Sequence, residues 1–288
     1  MNLINHLKEN LLGFSRIEVG EMLDENRSPI GYEAVVFDLK GFVLGGGMSS
    51  EREAAIKIAA SEALERSLVR DLSGSPDKAD FGFPEYATGC GFAYGFTRDG
   101  AQTRAICEAV ERWVWTEWIE NQKVLEEVAE SPKSPFVKYL RQPFDKIRFF
   151  KKSVKLQDVP SEFSKIEVRI VLGYKDGGIF PGSEAWIVEG HPFSHASGEA
   201  FRHLRAAQSL SKREEATMDL PERRLLYFSE NARVADAMIS SCKEEAWLPA
   251  KLKILAEAPT NSANSYLFRA ICEDHKSWHL GGVKRFAI

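Results

Sequence analysis

Two short runs of the sequence carry the same pattern of acidic and basic residues, Glu-x-x-Glu-Arg. The first consists of Glu62, Glu65 and Arg66, and the second, which begins 46 positions later, consists of Glu108, Glu111 and Arg112. Positions i, i+3 and i+4 of a helix share one face, so each run would place two carboxylates beside one guanidinium. Carboxylate oxygens suit Mg²⁺ and the guanidinium fork suits phosphate, so the pattern predicts a binding site for a Mg-nucleotide.

The same spacing also occurs in ordinary surface ion pairs, which stabilise a helix by only ~0.3–0.5 kcal/mol each. The repetition favours a site, because both runs follow a glycine-containing apolar stretch and both carry Ala seven positions before the first Glu, at Ala55 and Ala101. A duplicated scaffold helix is the alternative. The sequence contains no P-loop and no G-x-G-x-x-G, so a nucleotide site here would be of another kind.

The two runs need helices, and the surrounding sequence predicts them. The long alanine-rich segment is expected to start with Ser50 as its N-cap, with Glu53 three residues further on. The elements predicted in this half are strands at 16–19 and 32–37, an apolar glycine-containing run at 41–47, a helix from Glu51 to about Leu72, a strand at 88–96 and a helix from Gly100 to about Val124.

The second half mixes strands and helices without a strict βαβ rhythm. Its predicted elements are irregular structure with one or two strands at 130–162, strands at 165–174 and 185–188, a turn-rich segment at 190–198, helices at about 199–215, 221–229 and 231–245, and a strand at 265–272. The whole chain, 1–288, is therefore predicted to be one α+β domain. Its mixed sheets would pack with long helices, and the two Glu-x-x-Glu-Arg helices would flank a cleft.

Composition narrows the class of protein. Of the 288 residues, 44% are hydrophobic and 28% charged, as in a globular protein. The formal net charge of −4 argues against general binding to nucleic acid or to anionic membranes, because both require clustered Lys and Arg. The four cysteines are widely spaced and form no C-x-x-C pair, and no apolar run is long enough to span a membrane. We therefore expect reduced thiols and a cytoplasmic location.

The sequence around both runs resembles the YcaO family, whose members are ATP-dependent enzymes that activate backbone amides of peptides. The segment G-G-G-M-S-S-E-R-E-A-A-I-K-I-A-A-S-E-A-L-E-R is similar to the family's first nucleotide helix. The segment T-G-C-G-F-A-Y-G-F-T…A-I-C-E-A-V-E-R is similar to the second helix. A looser likeness to the third helix ends at Gln208. The resemblance covers most of the chain and implies a YcaO-like fold.

The resemblance implies ATP and Mg²⁺ as cofactors, and it assigns no catalytic residue. The implied metal ligands are Glu62, Glu65, Glu108 and Glu111, and the implied nucleotide-binding residues add Arg66, Arg112 and Gln208. In the family's usual chemistry a nucleophile adds to a peptide carbonyl, and the amide oxygen is phosphorylated by ATP and expelled. The products are azolines, thioamides or amidines. The implied partners are a peptide or protein substrate, a partner protein and a second copy in a homodimer.

The chain departs from the family pattern at two positions. Ala59 stands where the family usually has Ser, with Ser61 displaced by two residues, and Arg205 stands where the third helix usually has Glu. A cation at position 205 would replace a metal ligand with a positive charge. The alternative function is therefore a non-catalytic YcaO-like protein that binds a peptide or a partner enzyme. The six intact Glu and Arg positions favour an ATP-dependent peptide-modifying enzyme.

Three further groups of residues could carry chemistry or bind a partner. His191, His195 and His203 cluster near the third helix, and the first two have the spacing of metal ligands, but the turn-rich sequence favours a surface loop. Cys107 could be a nucleophile, although its apolar neighbours favour a buried small residue. The indoles of Trp113, Trp115 and Trp118 cannot share one helix face, so we expect some in the core and one exposed at a partner surface.

Overall fold

The computed structural model describes residues 3–11, 13–83, 88–157, 159–187, 193–259, 265–273 and 282–286. These residues form two compact units. Unit 1 comprises Met1–Ile106 and Ile254–Ile271, and unit 2 comprises Cys107–Lys253 and Cys272–Ile288. Within the described ranges, no helix is both long and apolar enough to cross a bilayer. The single domain and the cytoplasmic location stay predictions.

The described residues contain seven α-helices and ten β-strands. The helices are α1 (Leu3–Asn10), α2 (Arg52–Ser73), α3 (Arg98–Trp115), α4 (Pro135–Arg141), α5 (Ser194–Leu210), α6 (Leu220–Phe228) and α7 (Ala232–Ser240). The strands are β1 (Phe14–Leu23), β2 (Pro29–Asp38), β3 (Val43–Ser49), β4 (Phe92–Gly95), β5 (Glu126–Val128), β6 (Lys146–Gln157), β7 (Lys165–Lys175), β8 (Gly178–Trp186), β9 (Ala250–Pro259) and β10 (Tyr266–Cys272). A π-helical turn, Thr116–Glu120, follows α3 directly.

The fold is α+β, as predicted. In unit 1, β1, β2 and β3 form an antiparallel sheet in that order, and β4 pairs antiparallel with β10. In unit 2, β5, β6, β7 and β8 pair antiparallel in sequence order, whereas β9 begins parallel to the end of β6. The sheet of unit 2 is therefore mixed. That the two Glu-x-x-Glu-Arg helices flank one cleft stays a prediction.

In unit 1, α2 packs directly on the backbone of β3. A Cβ atom placed on Gly47 would lie 2.5 Å from the Ala55 carbonyl oxygen and 2.6 Å from the Ala59 nitrogen. Gly45 has the same relation to Ala63, so α2 turns its row of buried alanines toward the glycines of β3. Only residues without bulk allow this approach, which fixes the position of α2 over the sheet.

Unit 2 repeats this arrangement with α5 on β8. A Cβ atom on Gly182 would overlap the carbonyl group of Ala196 and would lie 2.6 Å from the Ala200 nitrogen. The N-terminus of α5 is held by β8 as well, because the Glu184 carboxylate accepts the N–H groups of His195, at 2.9 Å, and of Ala196. A glycine contact and a capping carboxylate on one strand therefore set the position of α5.

Several element boundaries differ from the sequence predictions. Helix α2 has Glu51, not Ser50, as its N-cap, and no side chain caps it. Helix α5 begins at Ser194 instead of about Glu199, because Glu184 of β8 supplies a distant cap. The segment 130–162, predicted to be mostly irregular, contains α4 and the twelve-residue strand β6. Helix α3 ends at Trp115, and only the π-helical turn continues it toward Glu120.

Candidate functional site

The first carboxylate of the α2 run is bonded to strand β3. Glu62 accepts the Gly46 N–H at 2.9 Å through Oε2, and its Oε1 pairs with Arg66 at 2.6 Å. This pair, at i,i+4, is the ordinary helix ion pair considered above, and the Arg66 side chain is 62% exposed. The backbone bond to Gly46 shows that Glu62 also ties α2 to the packed strand.

The second carboxylate of the run, Glu65, is enclosed more tightly. Its Oε1 accepts the Tyr94 N–H of β4 at 2.9 Å and pairs with Arg104 at 2.6 Å. Burial raises the pKa of Glu65 to about 7, although the Arg104 guanidinium acts in the opposite direction. Its other oxygen, Oε2, makes no bond with the residues that the structure describes. Glu65 is therefore a largely buried carboxylate that β4 and Arg104 hold through one oxygen.

In unit 2 the equivalent residue of the second run, Glu111, has a closely similar environment. The Ser183 hydroxyl of β8 donates to Glu111 Oε1 at 2.7 Å, and Arg112 lies 3.6 Å from the same oxygen. Burial raises the pKa of Glu111 to about 7, with a further upward contribution from Glu199. As in Glu65, Oε2 has no bond within the described part of the chain.

Ser183 joins Glu111 to another carboxylate, Glu199 of α5. The Ser183 N–H donates to Glu199 Oε2 at 2.6 Å. Burial alone would raise the pKa of Glu199, but the charges of His203 and Arg112 outweigh burial and lower it. The ring of His203 is held by a bond from Nδ1 to the Pro181 carbonyl at 2.6 Å. Glu199 therefore carries the negative charge of the bridged pair, and Glu111 is the member that retains a proton more easily.

The bond between β8 and Glu199 repeats the bond between β3 and Glu62. In each case a strand N–H donates to a helix glutamate sixteen residues later, and the residue before the donor is a packing glycine. At a constant offset of 137 positions, the corresponding pairs are Gly45 and Gly182, Gly46 and Ser183, Ala59 and Ala196, Glu62 and Glu199, and Ala63 and Ala200. The chain thus contains a third strand–helix copy, although it lacks the Glu-x-x-Glu-Arg signature.

The sequence reasoning missed four polar residues of these clusters: Arg104, Ser183, Glu199 and His203. The shared glycine and alanine spacing was the signal that could have revealed Ser183 and Glu199. No sequence pattern indicated Arg104, because its partner Glu65 lies on a different helix.

The remaining predicted site residues lie in different surroundings. Glu108 is half-buried and adds to the upward shift of the Glu111 pKa. Gln208 and Arg205 are exposed, and Gln208 lies nine residues beyond Glu199, or about 13 Å along the axis of α5. Within each unit, the described residues contain no group of three or more His, Cys, Asp or Glu side chains placed to hold a metal ion. The metal and nucleotide assignments of all seven residues stay predictions.

The other sequence candidates have clear outcomes. Cys107 is buried and its thiol pKa is raised to about 12 by burial, so the interpretation as a small core residue is confirmed. Trp113, Trp115 and Trp118 are all buried, so the expectation that one is exposed was wrong; the π-helical turn rotates Trp118 into the core. His195 lies on α5, not in a loop, and His191 lies outside the described residues.

We expect the buried carboxyl group of Glu184 to make folding stability depend on pH. Burial raises its pKa from about 4.5 to about 7, so the native state binds the proton more tightly than the unfolded chain. Protonated Glu184 therefore stabilises the native state by up to about 3 kcal/mol below pH 4.5, and this stabilisation is lost as the pH rises to 7. Glu184→Gln should reduce the loss of stability between pH 5 and pH 7.5, measured by urea unfolding, while Glu65 and Glu111, whose pKa values burial also raises, keep their own part of it. An unchanged pH dependence in the variant would contradict the assignment.

Neither a protein-family model nor a curated protein sequence matches the chain. Solved structures do match it. YcaO from Methanopyrus kandleri, bound with AMPPCP and Mg²⁺, has a TM-score of 0.62 at 10% identity, covering 96% of this chain and 89% of that one. The E. coli microcin synthetase McbBCD complex contains a chain with a TM-score of 0.61 at 10% identity, covering 90% of this chain and 87% of that one.

A heterocyclase in complex with substrate and cofactor has a TM-score of 0.52 at 10% identity, covering 96% of this chain and 52% of that one. The fold and its strand–helix repeats therefore define the chain as a protein of the YcaO fold. The resemblance stated from the sequence is confirmed at the level of the fold.

Proposed function

We propose that this chain is a divergent YcaO-like enzyme that uses ATP and Mg²⁺ to activate a backbone amide of a peptide or protein. The observation that supports this most directly is the matched pair Glu65 and Glu111. Both occupy the same position of the repeated run, and both accept a hydrogen bond from a neighbouring strand through Oε1. An arginine lies beside the same oxygen, at 2.6 Å for Arg104 and 3.6 Å for Arg112. Both leave Oε2 without a bond among the described residues. Two helices that served only as a scaffold would not need to agree in these contacts.

The chemistry of these carboxylates suits a divalent cation. Carboxylate oxygens are the ligands that Mg²⁺ prefers, and Glu65 and Glu111 each offer one such oxygen. Burying a carboxylate disfavours its charged form, and a bound cation would offset that cost. Glu62 and Glu108 lie three residues before them on the same helix faces. These four glutamates would hold the metal, as the sequence resemblance implies.

The arginines of the two runs would bind the phosphates. Arg66 is largely exposed, and Arg112 lies beside the buried Glu111, so both offer guanidinium groups next to the proposed metal ligands. Mg-ATP, when bound, would supply the phosphoryl group that converts the amide oxygen into a leaving group. The chain itself would orient the phosphates and keep Glu199 ionised through the charge of Arg112 and the N–H of Ser183. The product would be an azoline, a thioamide or an amidine.

A second candidate is a non-catalytic protein of the same fold that binds a peptide or a partner enzyme. The Glu65–Arg104 ion pair favours it, because an internal arginine occupies a carboxylate that the first proposal gives to a metal. Ala59 favours it as well, since this residue is fully buried on the face of α2 that meets Gly47. Under this candidate the charged residues of α2 would serve the structure alone.

Calorimetric titration with AMPPCP, in the presence and absence of Mg²⁺, distinguishes the two candidates. The enzyme proposal expects saturable binding that depends on Mg²⁺, followed by peptide-dependent phosphate release when ATP replaces the analogue. Absence of binding at millimolar nucleotide would reject the enzyme proposal and leave the binding protein. Nucleotide binding without phosphate release across a diverse peptide library would also favour the non-catalytic candidate.

A further inference from the structure

Unit 2 has a small cavity whose lining contains none of the carboxylates described above. It has a volume of about 240 Å³ and is lined by Trp113, Lys152–Lys155 and Trp247–Pro249. A drug-sized ligand requires roughly 300–1,000 Å³, so this cavity suits one large side chain rather than a whole small molecule. None of its lining residues is acidic, in a chain whose net charge is −4.

The walls of the cavity are held in place by aromatic contacts. The indole N–H of Trp247 donates to the Val124 carbonyl at 3.2 Å, and its ring packs edge-on against buried Trp113, with the ring centres 5.6 Å apart. The Lys152 ammonium lies 4.5 Å from the centre of the Trp247 ring. The adjoining Leu248 is 71% exposed, so apolar surface continues from the cavity to solvent.

The same four residues, Lys152–Lys155, form an open strand edge. One edge of β6 pairs with β7 along its length, whereas on the other edge β5 pairs with Phe149–Lys151 and β9 with Leu156–Gln157. Among the described residues, no strand pairs with the interval between them. Because the Leu156 N–H donates to Ser164 on the β7 side, strand alternation directs the N–H and C=O of Ser153 and the N–H of Lys155 into that interval, whereas the Lys155 C=O faces Ala250 of β9.

The charge at this edge is positive. Lys152 and Lys155 form no ion pair within the described part of the chain, whereas the neighbouring Lys151 pairs with Glu126 at 3.3 Å. Burial and the nearby Lys123 lower the pKa of Lys152 against the opposite effect of Glu126, and a carboxylate on a partner would offset the Lys123 charge further. An open edge thus coincides with an aromatic cavity and with two lysines that form no ion pair with the described residues.

We propose that this surface, the β6 edge groove (Trp113, Lys152–Lys155 and Trp247–Pro249), binds an extended acidic segment of another polypeptide. A few residues of the segment, between the ends of β5 and β9, bond to the Ser153 N–H and C=O and to the Lys155 N–H. One large apolar side chain lies against Trp113 and Trp247, and Asp or Glu residues lie beside the lysines. Strand addition supplies the backbone bonds, and the cavity and lysines supply the selectivity. This binding goes beyond the proposed enzyme function and needs no nucleotide.

The test uses the full chain and a short fluorescent peptide in which Glu residues flank one Phe. We expect saturable binding in fluorescence anisotropy without nucleotide, and at least about tenfold weaker binding when Lys replaces Glu or when Ala replaces Phe. Equal binding of the Glu and Lys peptides would overturn the proposal. So would the absence of saturable binding by the Glu peptide.

Variants of the groove locate the site. Trp247→Ala, Lys152→Glu and Ser153→Pro should each weaken peptide binding at least about tenfold, because they remove the cavity wall, reverse the charge or remove the outward N–H. If one of these three variants fails to fold, Lys155→Glu, a substitution at the surface, is measured in its place. Lys212→Glu makes the same charge change on an exposed residue outside the groove and should leave binding unchanged.

Two results would overturn the proposal at this stage. Equal weakening of peptide binding by Lys212→Glu and Lys152→Glu would show that the peptide responds to the overall charge of the protein and not to the groove. Self-association of the chain, measured by sedimentation and abolished by Lys152→Glu, would show that a second copy occupies the groove instead of an acidic partner.

Discussion

Replacing Glu65 or Glu111 by Gln is expected to weaken Mg²⁺-dependent binding of AMPPCP at least about 100-fold, or about 2.7 kcal/mol. Each substitution keeps the shape of the side chain and its bond through Oε1 but removes the charge that would hold the metal. Binding measured without Mg²⁺ should change little, because the arginines remain. Calorimetric titration of both variants checks this directly.

The matched control is Glu127→Gln. Glu127 also forms a two-bond ion pair with an arginine, Arg148, but it lies on β5 outside both carboxylate clusters. This variant should bind nucleotide like the unchanged protein. Unchanged binding in Glu65→Gln and Glu111→Gln would show that these carboxylates serve only the structure.

Loss of binding must also be separated from loss of folding. Above pH 7 the buried Glu65 and Glu111 carboxylates are ionised at a cost to the native state, because burial raises their pKa values to about 7. Neutral Gln avoids that cost, so neither variant should be less stable at pH 7.5 by more than about 1 kcal/mol. Urea unfolding of the same samples tests this.

Gly47→Ala is expected to destabilise the protein by about 3 kcal/mol or more. The new Cβ would lie 2.5 Å from the Ala55 carbonyl oxygen and 2.6 Å from the Ala59 nitrogen, and these are backbone atoms of α2 that cannot rotate away. Relief would require α2 to move from β3, which would also separate Glu62 from its donor Gly46. Urea unfolding measures the loss of stability, and titration with AMPPCP measures its effect on the site.

Gly20→Ala is the matched control in the same sheet. Gly20 lies on an exposed position of β1, has no heavy atom within 4 Å of an added Cβ, and does not have a positive φ angle. The substitution should change the free energy of unfolding by less than about 1 kcal/mol, since it mainly restricts the unfolded chain. Similar losses for Gly20→Ala and Gly47→Ala would mean that the close approach of α2 and β3 does not limit stability.

Features that depend on neighbouring residues in the chain could be predicted from the sequence. The bounds of α2 follow from alanine-rich sequence after a glycine-rich strand, and the predicted helix differs from Arg52–Ser73 by one residue at each end. The turn between β7 and β8 likewise has a local signature, because Asp176 and Gly177 have the positive φ angles, 49° and 81°, that a two-residue hairpin turn requires.

Strands β6 and β9 show where sequence patterns fail. The sequence of β6, KIRFFKKSVKLQ, has no regular alternation of polar and apolar residues, and its twelve-residue length is set by pairing with β7 along one edge. Strand β9 begins beside the far end of β6, about ninety residues away in sequence. Local propensity cannot predict such pairing, because a strand of this kind is stabilised mainly by its neighbours.

For the site, the sequence by itself determined the spacing of Glu62, Glu65, Glu108 and Glu111, and therefore which carboxylates share a helix face. Only the tertiary structure decided how each carboxylate is bonded. Ser183 reaches Glu111 across 72 positions, and Arg104 reaches Glu65 from another helix. The raised pKa values follow from burial, which depends on the packing of glycine-bearing strands against helices and not on the order of nearby residues.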